Sequence, residues 1–312
     1  MRIEYHRTLI ADHVRNEAFF RALKAIIEPG RSIVADIGAG TGLLGLMASK
    51  LGAKEVFLFE SAEVAGVAAQ VLKANKAKAC HLIPCHSREF RDKLSVDIIV
   101  SETLGNYALE ENIIATLADA RRRFLKPHGR IVPSGITQFV APVIGSRIDD
   151  ELRAWQRVGY GLDLSPAQVM TLNNAYVRLL QPSELLDGGQ SAVAWDKIDL
   201  TRETRSRRKG TAEWRLPRPQ TIFGFAAWWT AELIPSVSLS TCPLSPRTHW
   251  EQLYFPLLKP IGANSGDIVS VELRSTSSEE GGTHLAWTAL HRTRQGAIAA
   301  RQALDLDKGY LP

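Results

Sequence analysis

Apolar positions in the first 133 residues follow two alternating rhythms. Ile10, Val14, Leu23 and Ile27 recur at helical spacing with Arg and Glu between them. That spacing predicts a helix over residues 5–27, stopped by Glu28-Pro29-Gly30. SIVADIG then reads as a buried strand, and EVFLFE, HLIPC and VDIIVSE as further strands. Between them LLGLMASKLG, AEVAGVAAQVLKANK and EENIIATLADARRRFL read as helices. Gly52 ends the first, and Lys126-Pro127-His128-Gly129 closes the last before RIVPSG. Strands that alternate with helices predict an α/β fold with a parallel, doubly wound sheet.

The pattern changes near Pro133. GITQFVAPV, QTIFGFAAWWTAEL, WEQLYFPLL, DIVSVELRST and THLAWTAL read as antiparallel strands separated by turn residues. Residues 150–186, with ELRAWQRV and PAQVMTLNNAYVRLL, interrupt them as helical or irregular structure. The chain therefore divides into residues 1–133 and a β-rich domain, 134–312, that carries an insertion.

Composition narrows the class. Hydrophobic residues make up 45% of the 312 and charged residues 23%, enough for a substantial core. No apolar run approaches the roughly 20 residues that cross a bilayer, so no membrane partner is expected. Three cysteines do not make a disulfide framework, which places the expected site of action in the cytoplasm. The net charge of +5 is mild and not gathered into a stripe, which argues against a nucleic-acid partner. Its densest cluster, TRETRSRRKG, reads first as a solvated loop.

Gly38, Gly40 and Gly42 follow the first strand and open the next helix, a turn through which backbone N–H groups can approach a ligand closely. The spacing is G-x-G-x-G rather than the dinucleotide G-x-G-x-x-G, because residue 43 is Leu. Asp36 precedes the turn. Glu60 ends the second strand, and a carboxylate there can accept from both hydroxyls of a ribose. The arrangement resembles the first motif of S-adenosylmethionine-dependent methyltransferases. NAD or FAD is the competing cofactor.

The fourth strand leads into Ser101-Glu102-Thr103-Leu104-Gly105, and a second acid, Glu111, lies nine residues beyond Glu102. Two adjacent carboxylates raise each other's pKa unless a cation sits between them. A guanidinium, with five donors in a planar fork, suits that place. These residues resemble the "double-E" loop of the protein arginine methyltransferases, S-E-x-x-G with a second Glu nine residues on. HRTLIADHVR is similar to that family's N-terminal lid helix. Thr248-His249-Trp250 is similar to its threonine-histidine-tryptophan loop, and WQRVGYGLDLS to the segment leading into its helical arm.

The resemblance implies a Rossmann-like methyltransferase domain followed by an antiparallel β-barrel domain with a helical dimerisation arm. It also implies a homodimer and S-adenosyl-L-methionine as the cofactor. Glu102 and Glu111 would clamp the acceptor guanidinium. Arg15 would bind the cofactor's carboxylate, with Asp36, Gly38, Gly40, Gly42 and Glu60 around it. Asp12 and His249 would join the catalytic set, pairing across the domain boundary to relay the proton that leaves at transfer, and Tyr5 and Trp250 would wall the acceptor pocket. The family's adenine-binding acid falls on Arg88, so adenine contacts pass to the surrounding segment, Ser87 in particular. No metal is expected: Cys80-His81 and Cys85-His86 flank a strand whose neighbouring residues face opposite sides.

The chain departs from the family at Thr103-Leu104-Gly105-Asn106, where familiar eukaryotic members have Trp-Met-Gly-Tyr, and at Leu9 in the lid. Product type is left open by these positions. The implied acceptor is arginine in a protein or peptide. Free arginine or another small guanidine or amine, a cofactor-binding scaffold without turnover, and a nucleic-acid methyltransferase are the alternatives. Arg207, in an R-x-R segment, is a further candidate for self-methylation.

Overall fold

The computed structural model describes residues 3–309. Two helices open the chain, α1 (Ile3–Ala11) and α2 (His13–Ile26). The expected single helix over residues 5–27 is thus broken at Asp12, which leaves helical geometry and caps α2 by accepting from the Arg15 N–H at 2.9 Å. Then β1 (Ile33–Ile37), α3 (Leu43–Lys50), β2 (Glu55–Phe59), α4 (Val64–Ala74), β3 (Cys80–Ile83), β4 (Val96–Ser101), α5 (Ile113–Phe124) and β5 (Leu125–Val132) alternate. The five strands form one parallel sheet in the order β3-β2-β1-β4-β5. The order reverses beside β1, so the crevice above β1 and β4 is where such sheets bind ligands.

Lys126-Pro127-His128-Gly129 follows α5 directly and falls within the bounds of β5, but the pairing with β4 passes from Leu125 to Arg130, so these four residues form a bulge, with His128 at φ 67.

Beyond Val132 every sheet is antiparallel. The remaining elements are β6 (Gly135–Val143), α6 (Arg147–Leu152), α7 (Gln168–Leu172), β7 (Tyr176–Arg178), β8 (Val193–Asp199), β9 (Arg207–Arg215), β10 (Gln220–Ile234), β11 (Val237–Ser240), β12 (Gln252–Ala263), β13 (Ile268–Ser278), β14 (Gly282–Arg292) and β15 (Ile298–Asp305). A six-stranded sheet runs β7-β12-β10-β6-β8 with β11 on β10, and a four-stranded sheet runs β15-β14-β13-β9. They face each other as a barrel-like pair around Trp229, Trp250, Trp287 and Phe255. The insertion folds as α6, short 3-10 turns and α7, seated on the sheet through Ile148, Leu152 and Leu172 against Trp228 and Tyr254. Tyr176–Arg178, within the stretch read as helical or irregular, is an edge strand on β12.

Buried apolar residues from both halves make one continuous cluster, from Phe19 and Leu23 in α2 to Trp287 and Leu304. Among the described residues no helix is long and apolar enough to cross a membrane.

Candidate active site

A cavity of about 370 Å³ opens over the C-terminal ends of β1, β2 and β4 and is roofed by α1 and α2. Its floor is the glycine turn. Gly38, Gly40 and Gly42 have φ of 74, 55 and 86, a region that side-chain-bearing residues rarely enter. At Gly40 a side chain would also press on the His6 ring, which lies 3.3 Å from where its Cβ would stand. The Gly40 N–H donates to Glu60 Oε2 and the Ala62 N–H to Oε1, both at 2.8 Å. Each oxygen of Glu60 keeps a lone pair for another donor.

Three buried polar atoms on the wall have no protein partner: His6 Nε2, Asp36 Oδ1 and Ser87 Oγ. Buried polar groups are nearly always hydrogen-bonded, so a cluster of exceptions in one cavity fits a polar ligand. Asp36 receives one N–H, from Gly45 at 2.8 Å, yet burial pushes its carboxyl up to about 7. An incoming cation would reverse that shift. These features suit a nucleoside bearing an ammonium or sulfonium group.

Glu102 and Glu111 both face this cavity. The Glu102 side chain is 4% exposed and already engaged: Arg15 Nε donates to Oε2 at 2.7 Å and Arg15 Nη2 reaches the same oxygen. Burial raises the Glu102 carboxyl even though Arg15 opposes it. Glu111 stands at the mouth, raised by desolvation and then by the charges of Glu102 and Glu110. Arg15 is thus placed on Glu102, not held free for a cofactor carboxylate.

Asp12 and His249 meet across the two halves of the chain. Asp12 Oδ2 accepts from the His249 backbone N–H at 2.8 Å and pairs with Nδ1 at 2.7 Å. Burial works against the Asp12 charge, but these bonds and the one from Arg15 outweigh it and hold the carboxyl below its ordinary range. The pair stands behind Arg15 and does not line the cavity. Tyr5 does line it, edge-on to the His249 ring with centroids 6.2 Å apart.

Trp250 corrects an expectation, because it does not wall the pocket. It is 2% exposed, packs edge-on against Trp229, and donates from Nε1 to the Leu104 carbonyl at 2.9 Å. Trp229 Nε1 likewise donates to the Gly105 carbonyl at 3.0 Å, and the Glu251 N–H to Asn106 Oδ1 at 2.9 Å. Thr283 Oγ1 reaches the Leu109 carbonyl at 3.4 Å. The loop that carries both glutamates is therefore fastened along its length to the barrel-like domain. Gly105 is required within it, because a Cβ there would overlap the Glu110 carboxylate.

Ser87 lines the cavity, whereas the Arg88 side chain turns away to pair with Glu279 in the β13–β14 hairpin. His81 pairs with Glu55 and Cys80 Sγ faces the Gly45 carbonyl, while Cys85 and His86 both line the cavity. Of the positions that depart from the family pattern, Leu9, Thr103 and Leu104 line the cavity, whereas Asn106 is engaged with the Glu251 N–H. Sequence reasoning did not single out His6, Thr116 or Phe59, which line it as well. A lone His or Thr on a helix carries no spacing signal. His6 could have been found only from its place on the lid helix that also bears Tyr5 and Leu9.

Comparisons with known proteins agree with this arrangement. A family model described as ribosomal protein L11 methyltransferase matches residues 12–156, and one described as the arginine methyltransferase oligomerization subdomain matches residues 136–290. The probable protein arginine N-methyltransferase 6.1 of Oryza sativa subsp. japonica is 30% identical over 89% of this chain and 80% of its own. The protein arginine N-methyltransferase 6 of Xenopus tropicalis is 29% identical over 91% and 86%. In fold, the chain is similar to the Trypanosoma brucei PRMT1 enzyme-prozyme heterotetrameric complex with AdoHcy, with a TM-score of 0.83, 20% identity and coverage of 96% and 97%. It is similar also to Arabidopsis thaliana protein arginine methyltransferase 10, with a TM-score of 0.81, 21% identity and 98% of each chain covered. With its cofactor-type cavity, its carboxylate pair and this likeness over nearly its whole length, the chain belongs to the protein arginine N-methyltransferase family.

Proposed function

We propose that this protein transfers a methyl group from S-adenosyl-L-methionine to a guanidinium nitrogen of arginine in a protein or peptide. The observation that carries the reading is Glu102. It already holds a guanidinium, that of Arg15, in the cavity it shares with Glu111 and the glycine turn.

When bound, the cofactor supplies an electrophilic methyl on a sulfonium. The acceptor nitrogen would take that methyl with its lone pair, sulfur would keep the C–S electron pair, and the proton lost from the nitrogen would pass to water at the cavity mouth. The chain's own residues prepare that displacement. Glu60 takes the ribose hydroxyls, and Ser87 and His6 supply polar partners along the wall. Asp36, above its ordinary range when alone, ionises against the ligand's positive charge. Arg15, on Glu102 in the free protein, lines the same cavity and would hold the cofactor's carboxylate when it is bound, which would free Glu102. Glu102 and Glu111 then grip the acceptor from two sides, draw its charge away from the attacking nitrogen and orient it. Burial raises both carboxyls, and a cation held between them favours their charged forms. Asp12 and His249 hold Arg15 and the lid in register rather than touching the acceptor.

The test is labelled S-adenosylmethionine with two pools, arginine-rich peptides and small guanidines including free arginine, read by mass spectrometry. Label on peptide arginine is the expected result. Label confined to the small guanidines would move the substrate to metabolism, and label in neither would refute guanidinium transfer.

A homodimer is part of the same reading. The arm exposes Trp155 at 39%, Tyr160 at 93%, Leu162 at 62% and Met170 at 57%, a density of apolar side chains that a lone surface rarely carries. Deleting residues 154–167 should give a monomer in sedimentation analysis and reduce turnover, because the arm would dock near a partner's cofactor lid. A monomeric deletion variant with full turnover would break that link.

A further inference from the structure

Tyr107 lies between the two glutamates in sequence, and it is 3% exposed although it is in a loop. Its hydroxyl bonds Ser275 Oγ on β13 and receives Gln138 Nε2 of β6 at 3.4 Å. Gln138 Nε2 also donates to Asp196 Oδ2 on β8 at 3.0 Å. Asp196 in turn takes the fork of Arg208 on β9, from Nε at 2.9 Å and Nη2 at 2.6 Å, and Arg208 Nη1 donates to Glu203 at 2.8 Å. Gln138 is 2% exposed, Asp196 9% and Ser275 3%. None of them touches the cavity, and the function described above does not use them.

We propose that Asp196 and Arg208 are positioning residues for the acceptor clamp, acting through Gln138 on Tyr107; this rests on the arginine methyltransferase reading. A carboxylate only accepts hydrogen bonds, so the Asp196 charge forces Gln138 to present its NH₂ group. The same NH₂ then donates to the Tyr107 oxygen, which favours the arrangement in which the Tyr107 hydroxyl donates to Ser275. One buried charge thus sets the polarity of the whole chain of bonds, and Arg208 keeps that charge in place. Apolar side chains of similar volume would stabilise the fold as well or better, because a buried ion pair seldom repays its desolvation. What apolar packing would not supply is a single orientation for Tyr107, which links both sheets to the loop between Glu102 and Glu111.

The test uses the full chain, an arginine-rich peptide for kinetics and S-adenosylhomocysteine for calorimetry. Tyr107→Phe and Asp196→Asn should each lower kcat/KM for the peptide by about ten- to a hundredfold, since a misplacement near 1 Å can cost on the order of a hundredfold. Cofactor affinity should stay at the wild-type value. The double variant should be little worse than the worse single one, because both act on one chain of bonds. If Asp196→Asn does not fold, Tyr107→Phe and Ser275→Ala carry the test, since each removes one hydroxyl only. Wild-type peptide kinetics in these variants, multiplying effects, or equal losses in cofactor affinity would overturn the proposal. A wild-type chain that binds cofactor yet methylates no arginine would overturn the functional reading and this proposal with it. An active wild type beside unchanged variants overturns the positioning alone.

Discussion

Glu102→Gln should lower arginine methylation by on the order of a hundred- to a thousandfold without weakening cofactor binding. Glutamine keeps the size of the side chain but removes the charge and turns one acceptor atom into a donor that faces guanidinium donors. The loss should fall on kcat as well as KM, because the interaction strengthens as charge is drawn from the attacking nitrogen. Glu111→Gln should behave alike in kinetics. The two should differ in calorimetry. Glu102 holds Arg15 in the free protein, so its replacement releases Arg15 and should tighten cofactor binding, whereas Glu111→Gln should leave it unchanged. Retained turnover in Glu102→Gln would sink the clamp.

The second large effect concerns Asp36. Its carboxyl is raised by burial to about 7 in the ligand-free protein, against an ordinary value near 3.8. The folded state therefore binds a proton that the unfolded state has lost between those limits. Stability contributed at this site is lost as pH rises from about 4 to 7 and does not return above that. Asp36→Asn removes the dependence, so the ligand-free variant should melt above the wild type at pH 8, by up to about 4 kcal/mol of stability. The gap should close toward pH 4. Cofactor affinity should move in the opposite direction, since asparagine cannot neutralise a sulfonium or ammonium. Thermal melts across pH, with and without S-adenosylhomocysteine, check both halves. A pH-independent difference would show that Asp36 does not titrate in this range.

Much of this site could be read along the chain because its parts lie at the ends of regular elements. Asp36 stands near the end of its strand and Gly38, Glu60 and Glu102 follow theirs; the apolar runs are unmistakable, and the sheet brings those ends together. Other features depend on contacts between distant residues, which leave no periodic trace. Tyr107 meets Ser275 across 168 positions and Trp250 meets Leu104 across 146. Nothing local distinguishes a tryptophan that walls a pocket from one that ties down a loop. The break at Asp12 was equally hidden, since apolar spacing continues through it and only the distant His249 shows why Asp12 leaves the helix. Lys126–Gly129 carries turn-forming residues, and the structure keeps that local preference: these four residues bulge out of the ladder between Leu125 and Arg130.

The acceptor loop belongs by sequence to the N-terminal half, but Trp229, Trp250, Glu251, Ser275 and Thr283 of the other half hold it. The border near Pro133 therefore divides the polypeptide without dividing the enzyme. A fragment ending there would retain the walls of a nucleoside pocket and lose the scaffold that aims its two carboxylates. Drift in the barrel-like half is likewise not confined to substrate recognition. A substitution beneath Trp229 or Ser275 should reach the chemical step from a distance, because these residues hold the loop that bears both glutamates.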